Sequence, residues 1–165
     1  MLRSLVLTLL LTGLFGTAQA QKFGHVNFGN VLNEMPATEA ADKELETYAQ
    51  QLAAQGQARL KVLQDRYKRL QVDFDNMTGK EVEAETAAIK QGQQELAQFE
   101  QESQIKVEQR RRELLAPIIE RAKEAVNAVA KEGGYQMVFD SSQFNTLLFT
   151  QEGTDLTEQV IARLK

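Results

Sequence analysis

The 165-residue chain has no cysteine, no tryptophan and only two prolines, Pro36 and Pro117. Without cysteine no disulfide can form, so an exported chain must hold together by packing, helix length or association with other copies. A single histidine, His25, and no cysteine leave too few ligand types for a zinc site. Aromatic residues make up 7% of the chain, which disfavours a large globular core, and the scarcity of proline leaves room for long helices. There is no basic excess either. The formal net charge of -4 argues against nucleic acid as a partner. No G-x-S-x-G, H-E-x-x-H or glycine-rich phosphate loop occurs, and the carboxylates interleave with Lys and Arg as on a solvated helix face. His25 reads as a packed or rim residue. The chain is not expected to be an enzyme or to carry a cofactor.

The first twenty residues, MLRSLVLTLLLTGLFGTAQA, have Arg3, an apolar run from Leu5 to Phe15, and Ala18-Gln19-Ala20 at the end. This is the pattern of a cleaved signal peptide, with processing expected before Gln21. The run is too short to span a bilayer comfortably. Its removal sends the chain out of the cytoplasm and leaves about 145 residues, enough for one domain.

What the chain has in abundance is helical sequence. After Pro36, suited to a first helical turn, small or apolar residues recur at alternating steps of three and four from Leu45 to Met77, with one stutter around Gly56. The stretch DNMTGK, 75 to 80, reads as a turn, and a return helix follows with Val82, Ile89, Leu96, Phe99, Val107, Leu114 and Ile118 at comparable spacing. Gly133-Gly134 supply its stop. Two helices joined by so short a turn lie antiparallel, giving an arm over residues 37–132 of roughly 55 Å. A turn near Met77 brings Glu44 and Glu46 beside Arg110 and Arg111, and Lys68 and Arg69 near Glu83 and Glu85. Ala49, Gly56, Gly92 and Ser103 make the middle of the seam dilute. Both a thin, bendable arm and an ordinary coiled coil with close-packed backbones fit that pattern. Pro117 predicts a kink in the return helix, or a break into two helices.

Outside the arm lie the segments 21–36 and 133–165. They hold three short β-favouring runs, at 22 to 28, 135 to 140 and 145 to 150. The last two read as a hairpin, YQMVFD and TLLFT around a polar turn. A final helix is expected from Thr154 to Leu164, capped by Thr154. Ordering so small a sheet costs conformational entropy that its own apolar side chains barely offset, and its open edges invite pairing with other chains. Closure with the same strands of neighbouring copies solves both problems. The strand residues Val26, Phe28, Met137, Val138 and Phe139, with Leu147, Leu148 and Phe149, are therefore expected to be oligomerisation residues. A hairpin capping a monomer is the alternative. The fold class is α+β: a long antiparallel helical hairpin projecting from a small β-barrel-like oligomerisation base with a C-terminal helix.

Two charge features remain. Arg110-Arg111-Arg112 is expected to pair with Glu44, Glu46 and Glu108, with a binding patch as the alternative. Arg59, Lys61, Arg66, Lys68 and Arg69 form a basic segment toward the far end of the arm. They would either contact anionic lipid or acidic segments or be neutralised by Glu81, Glu83 and Glu85.

GHVNFGNVLNEMP, 24 to 36, and GYQMVFDSSQFNTLLFT followed by GTDLTEQVIARLK resemble the two ends of the Skp/OmpH family of periplasmic chaperones. The shared steps include Val138-Phe139-Asp140 and Asp155-Leu156-Thr157, and the charged helical hairpin between them matches in length and position. The resemblance implies a homotrimer with a β-barrel base and three arms around a cavity. Unfolded outer-membrane proteins would be held in it without ATP. Client contacts would then come from arm side chains not used in the seam, with Leu60, Tyr67, Phe74, Met77, Ile89, Leu96 and Phe99 as candidates. The family's lipopolysaccharide contact has no residue-by-residue match here. An envelope scaffold or spacer built on a coiled coil is the alternative function.

Overall fold

In a computed structural model the described residues are 21–151 and 153–165; the expected signal peptide lies outside them. The elements in chain order are strand β1 (Phe23–Val26), helix α1 (Phe28–Asn33), helix α2 (Pro36–Asp73), a 3-10 turn (Phe74–Asn76), helix α3 (Gly79–Glu132), strand β2 (Met137–Asp140) and helix α4 (Thr157–Leu164). The 38 residues of α2 and the 54 of α3 pack against each other as the arm.

Each end of the arm has a local chemical cause. Pro36 sits at the first turn of α2, where its missing N–H costs nothing. At the tip, Thr78 opens α3 with a capping box. Its backbone N–H donates to Glu81 Oε2 at 2.7 Å, and the Glu81 N–H donates to Thr78 Oγ1. The Thr78 backbone N–H first, and second its hydroxyl, which also donates to Glu81 Oε2 at 2.7 Å, hold the Glu81 carboxyl below its ordinary pKa. At the other end Gly134, at φ 69°, closes a Schellman motif: Tyr135 N–H donates to Ala130 O and Gly134 N–H to Lys131 O. Pro117 lies inside α3, and the helix runs through it unbroken.

The expected hairpin does not form within the chain. β2 pairs with β1 in parallel, Phe23 opposite Met137 and Val26 opposite Asp140, and the arm is the crossover between them. β1 is central, because His25 also bridges Asp155 on its other edge. Residues 145–150 form no strand, so Leu147, Leu148 and Phe149 are not strand residues here. β-propensity is a preference for a pleated, half-buried surface, and among the described residues no strand pairs with TLLFT. Phe28 likewise opens α1 instead of extending β1, because the Asn27 side chain accepts the Asn30 N–H and turns the chain into a helix.

The core sits at the base. Val31, Leu156 and Val160 are fully buried, joined by Val26, Met35, Ile118 and Ile161. Ala41, Ala122 and Ala125 let helices approach closely there. Helix α4 starts three residues later than expected. Asp155, not Thr154, meets its first turn, accepting from Thr157 N–H at 2.9 Å and Thr157 Oγ1 at 2.6 Å. Thr157 Oγ1 also accepts from Asn27 N–H at 2.9 Å, tying α4 to the end of β1.

Candidate functional site

Two surfaces merit attention: the arm and the exposed edge of the base. The arm's seam rests on few side chains. Leu52, Leu63, Ile89 and Phe99 are its buried residues. Leu63 is lodged against Gly92 so closely that a Cβ there would lie 2.7 Å from the terminal methyl Leu63 Cδ2, which would have to shift. Gly56 similarly faces the Phe99 ring, with a built Cβ 3.6 Å from Phe99 Cε1. The dilute middle of the seam is thus a place of close backbone approach on one level and of open space on the next. Ala49, Leu52, Gly56, Phe99, Ser103 and Val107 bound a hollow of about 770 Å³. Ser103 Oγ is shielded from solvent there and has no hydrogen-bond partner among the described residues.

The candidate client residues therefore divide. Ile89 and Phe99 are consumed by the seam. Leu96 and Met77 are half-buried. Leu60, Tyr67 and Phe74 are 44%, 45% and 55% exposed and fall seven residues apart, so they form an apolar row along α2 and the tip. Val62, Val72 and Ile105 are exposed apolar residues that periodicity did not single out, since they lie off the heptad positions.

The register of the arm is close to the one its charges suggest. Arg110 pairs with Glu44 and, at 3.2 Å, with Glu113. Nearer the tip Arg66, rather than Lys68 or Arg69, meets Glu85, at 3.2 Å. The basic segment is accordingly split. Arg59 lies over the Phe99 ring at 4.3 Å, Lys61 pairs with Asp65 at 3.6 Å, and Arg66 is taken up by Glu85. Lys68 and Arg69 are exposed, with no ion-pair partner among the described residues.

At the base, the outer edge of β2 is open. Met137 is 52% exposed and Phe139 41%, while Val26 is buried in the core and Val138 and Phe28 pack partly against it. Past β2, Phe144, Leu148 and Phe149 are almost wholly exposed. Phe139, Leu147 and Phe149 line one shallow hollow with Phe23 and His25, and an unpaired strand edge with exposed apolar side chains is a feature of interaction surfaces. The segment leading to it is fastened by Asp140, whose Oδ1 accepts from Ser142 N–H at 2.9 Å and Phe28 N–H at 3.3 Å. Burial alone would raise the Asp140 pKa; these bonds outweigh it and hold the group below its ordinary value. Asp155 behaves the same way, with burial opposed more strongly by the Thr157 bonds and the charge of His25. The His25 ring contacts Ser141 Oγ at 3.3 Å. Among the described residues no group of three or more His, Asp or Glu is placed to hold a metal ion, and no helix is long and apolar enough to cross a membrane.

This layout has relatives. A family model described as "Outer membrane protein (OmpH-like)" matches residues 22–164. The proteins named Chaperone protein Skp from Photorhabdus laumondii and Yersinia enterocolitica are similar in sequence. The first is 29% identical over 154 residues, covering 91% of this chain and 89% of the relative. The second is 27% identical over 153 residues, covering 90% and 89%. A crystal structure from Caulobacter crescentus, of a protein described as an OmpH-like outer membrane chaperone, superposes with a TM-score of 0.76. It covers 88% of this chain and 84% of its own at 16% identity, and so supports the fold. With the match running from the first strand to the last helix, the chain belongs to the OmpH-like family.

Proposed function

We propose that this protein is a periplasmic holdase. In this reading a homotrimer encloses a cavity between three arms and holds unfolded outer-membrane proteins there without ATP. Full-length similarity to proteins named as chaperones is the observation that carries it. The apolar row of Leu60, Tyr67 and Phe74 supports it, because exposed apolar side chains along the arm offer contacts to an unfolded client. Binding of that kind lowers the free unfolded population by mass action and slows aggregation.

Association through the base supports this reading. Phe139, Leu148 and Phe149, beside an open strand edge, are the side chains a neighbouring copy would cover. Phe139→Glu with Phe149→Glu should yield monomers by light scattering; persisting trimers would place the interface elsewhere. Within the basic segment, Lys68 and Arg69 are the exposed cations without an ion-pair partner among the described residues and would be the first contacts of an anionic lipid.

The decisive measurement is light scattering from a urea-denatured outer-membrane protein diluted into buffer with and without stoichiometric trimer. Suppressed scattering is expected, and unchanged scattering overturns the reading. Selective binding of one folded partner would favour an envelope scaffold instead.

A further inference from the structure

The two broad sides of the arm differ chemically, and the difference deepens the holdase reading, on which this inference rests. One side, bordered by Arg59, Val62, Arg66 and Glu95, has its charges engaged. Arg59 covers Phe99, Arg66 pairs with Glu85, and Gln91 donates to Glu95 at 2.8 Å. On the other side two adjoining hollows share Leu60 and Glu100 and make one trough from the level of Ala49 to that of Tyr67. At 1.5 Å per residue that span is about 27 Å.

The trough's floor is apolar, with Leu52, Leu60, Leu96 and Phe99. Its rim carries the amides of Gln57, Gln64 and Gln104, none of which hydrogen-bonds another side chain among the described residues. An amide offers both a donor and an acceptor, as does each peptide unit of an unfolded chain. Pairing between them would ignore the identity of the client's side chains. The acidic residues lining the trough are Glu100 and Glu108, and neither is in an ion pair among the described residues. The site is therefore complementary to a positive occupant, although the arm's basic segment would suggest the opposite.

The geometry points to the trough as the seat of one extended segment of an unfolded polypeptide. Alternate apolar side chains enter the floor, the backbone meets the glutamine rim, and a Lys or Arg lies beside Glu100 or Glu108. At about 3.3 Å per residue the trough admits about eight residues of strand.

The test is fluorescence anisotropy of the full chain with a labelled peptide of about eight residues, in which Val and Leu alternate with Thr and Lys. Ala53, exposed in the trough wall, and Val62, exposed on the opposite side, receive the same change. Ala53→Arg should weaken binding about tenfold, and Val62→Arg by less than about twofold. Replacing the peptide's lysines by glutamates should weaken binding by about tenfold as well, and Glu100→Lys with Glu108→Lys should reverse that preference. Gln57→Ala with Gln104→Ala, which favours the helix, is a second variant expected to weaken binding. No binding by the unaltered chain, equal effects of the two arginines, or indifference to peptide charge overturns the trough. In the light-scattering assay, Ala53→Arg acting as well as the unaltered chain removes the trough alone. An inactive unaltered chain removes the holdase reading.

Discussion

The base and the arm are stabilised differently. In the base, helices α1, α3 and α4 with the start of α2 converge on side chains fully excluded from water, among them Val31, Leu156 and Val160. In the arm, some ninety residues share a seam in which Leu52, Leu63, Ile89 and Phe99 are the buried apolar side chains. The base concentrates its stability where these four helices meet. The arm spreads a little stability along its length, supplemented by exposed ion pairs such as Lys43–Glu39 and Lys106–Glu102 that contribute little each. A rigid mount with a compliant limb is the mechanical result, since regions with few buried contacts open most readily.

Substitutions test that division. The largest effect is expected in the base. Leu156→Ala should lower stability by about 3–5 kcal/mol, because a fully enclosed side chain leaves a cavity that cannot collapse. Urea unfolding followed by circular dichroism reads this, and a cost below about 1 kcal/mol would erase the contrast with the arm. Next comes the arm's tightest contact. Gly92→Val should cost about 1–3 kcal/mol by forcing Leu63 out of its place. Gly56→Ala, where a Cβ has room, should instead stabilise by about 0.5–1 kcal/mol through helix propensity. If both glycine changes shift the thermal midpoint in the same direction, close packing at 92 is not the reason for the glycine. Ser103→Ala removes a shielded hydroxyl without a partner and should stabilise the arm by about 1 kcal/mol, again by thermal melting.

The smallest effect is in acid. Asp140 and Asp155 both have folded-state pKa values below their ordinary 3.8. The unfolded chain therefore binds protons first as pH falls, so their contribution is present above the ordinary value and lost as pH drops through the lowered one. Asp155→Asn should flatten that acid limb of a stability profile between pH 5 and pH 2, roughly the carboxylate range. An unaltered limb would assign the acid response to other carboxylates.

Much of the arm was legible because a heptad repeats its signal many times. The tip, the antiparallel course and the Glu44–Arg110 pairing all follow from spacing and charge alone. The capping box at Thr78 was legible too, in the Thr-x-x-Glu pattern ending at Glu81, although DNMTGK read there simply as a turn. The base was harder. Short apolar runs do not say whether they pair in parallel or as a hairpin, and YQMVFD found its partner at the opposite end of the chain. TLLFT has strand-like residues and no strand-like neighbour within the chain. Of the candidate client residues, spacing alone could not separate Ile89 and Phe99, which fill the seam, from Leu60 and Tyr67, which flank it. The unpaired amides and carboxylates of the trough were invisible to periodicity, which counts apolar residues and passes over what borders them.

The parallel pairing of β1 with β2 also governs the order in which the molecule is assembled. Lys22 Nζ reaches Gly133 O across 111 residues of chain, so this contact is highly non-local and slow to form from a disordered chain. A helical hairpin needs no such search. It can nucleate at the capped tip around Thr78 and zip toward the base. As the two helices close, they shorten the effective loop between the strands and lower its closure entropy. Lengthening both helices by the same number of heptads should therefore leave the base able to form. The limb is also the folding scaffold for its own mount.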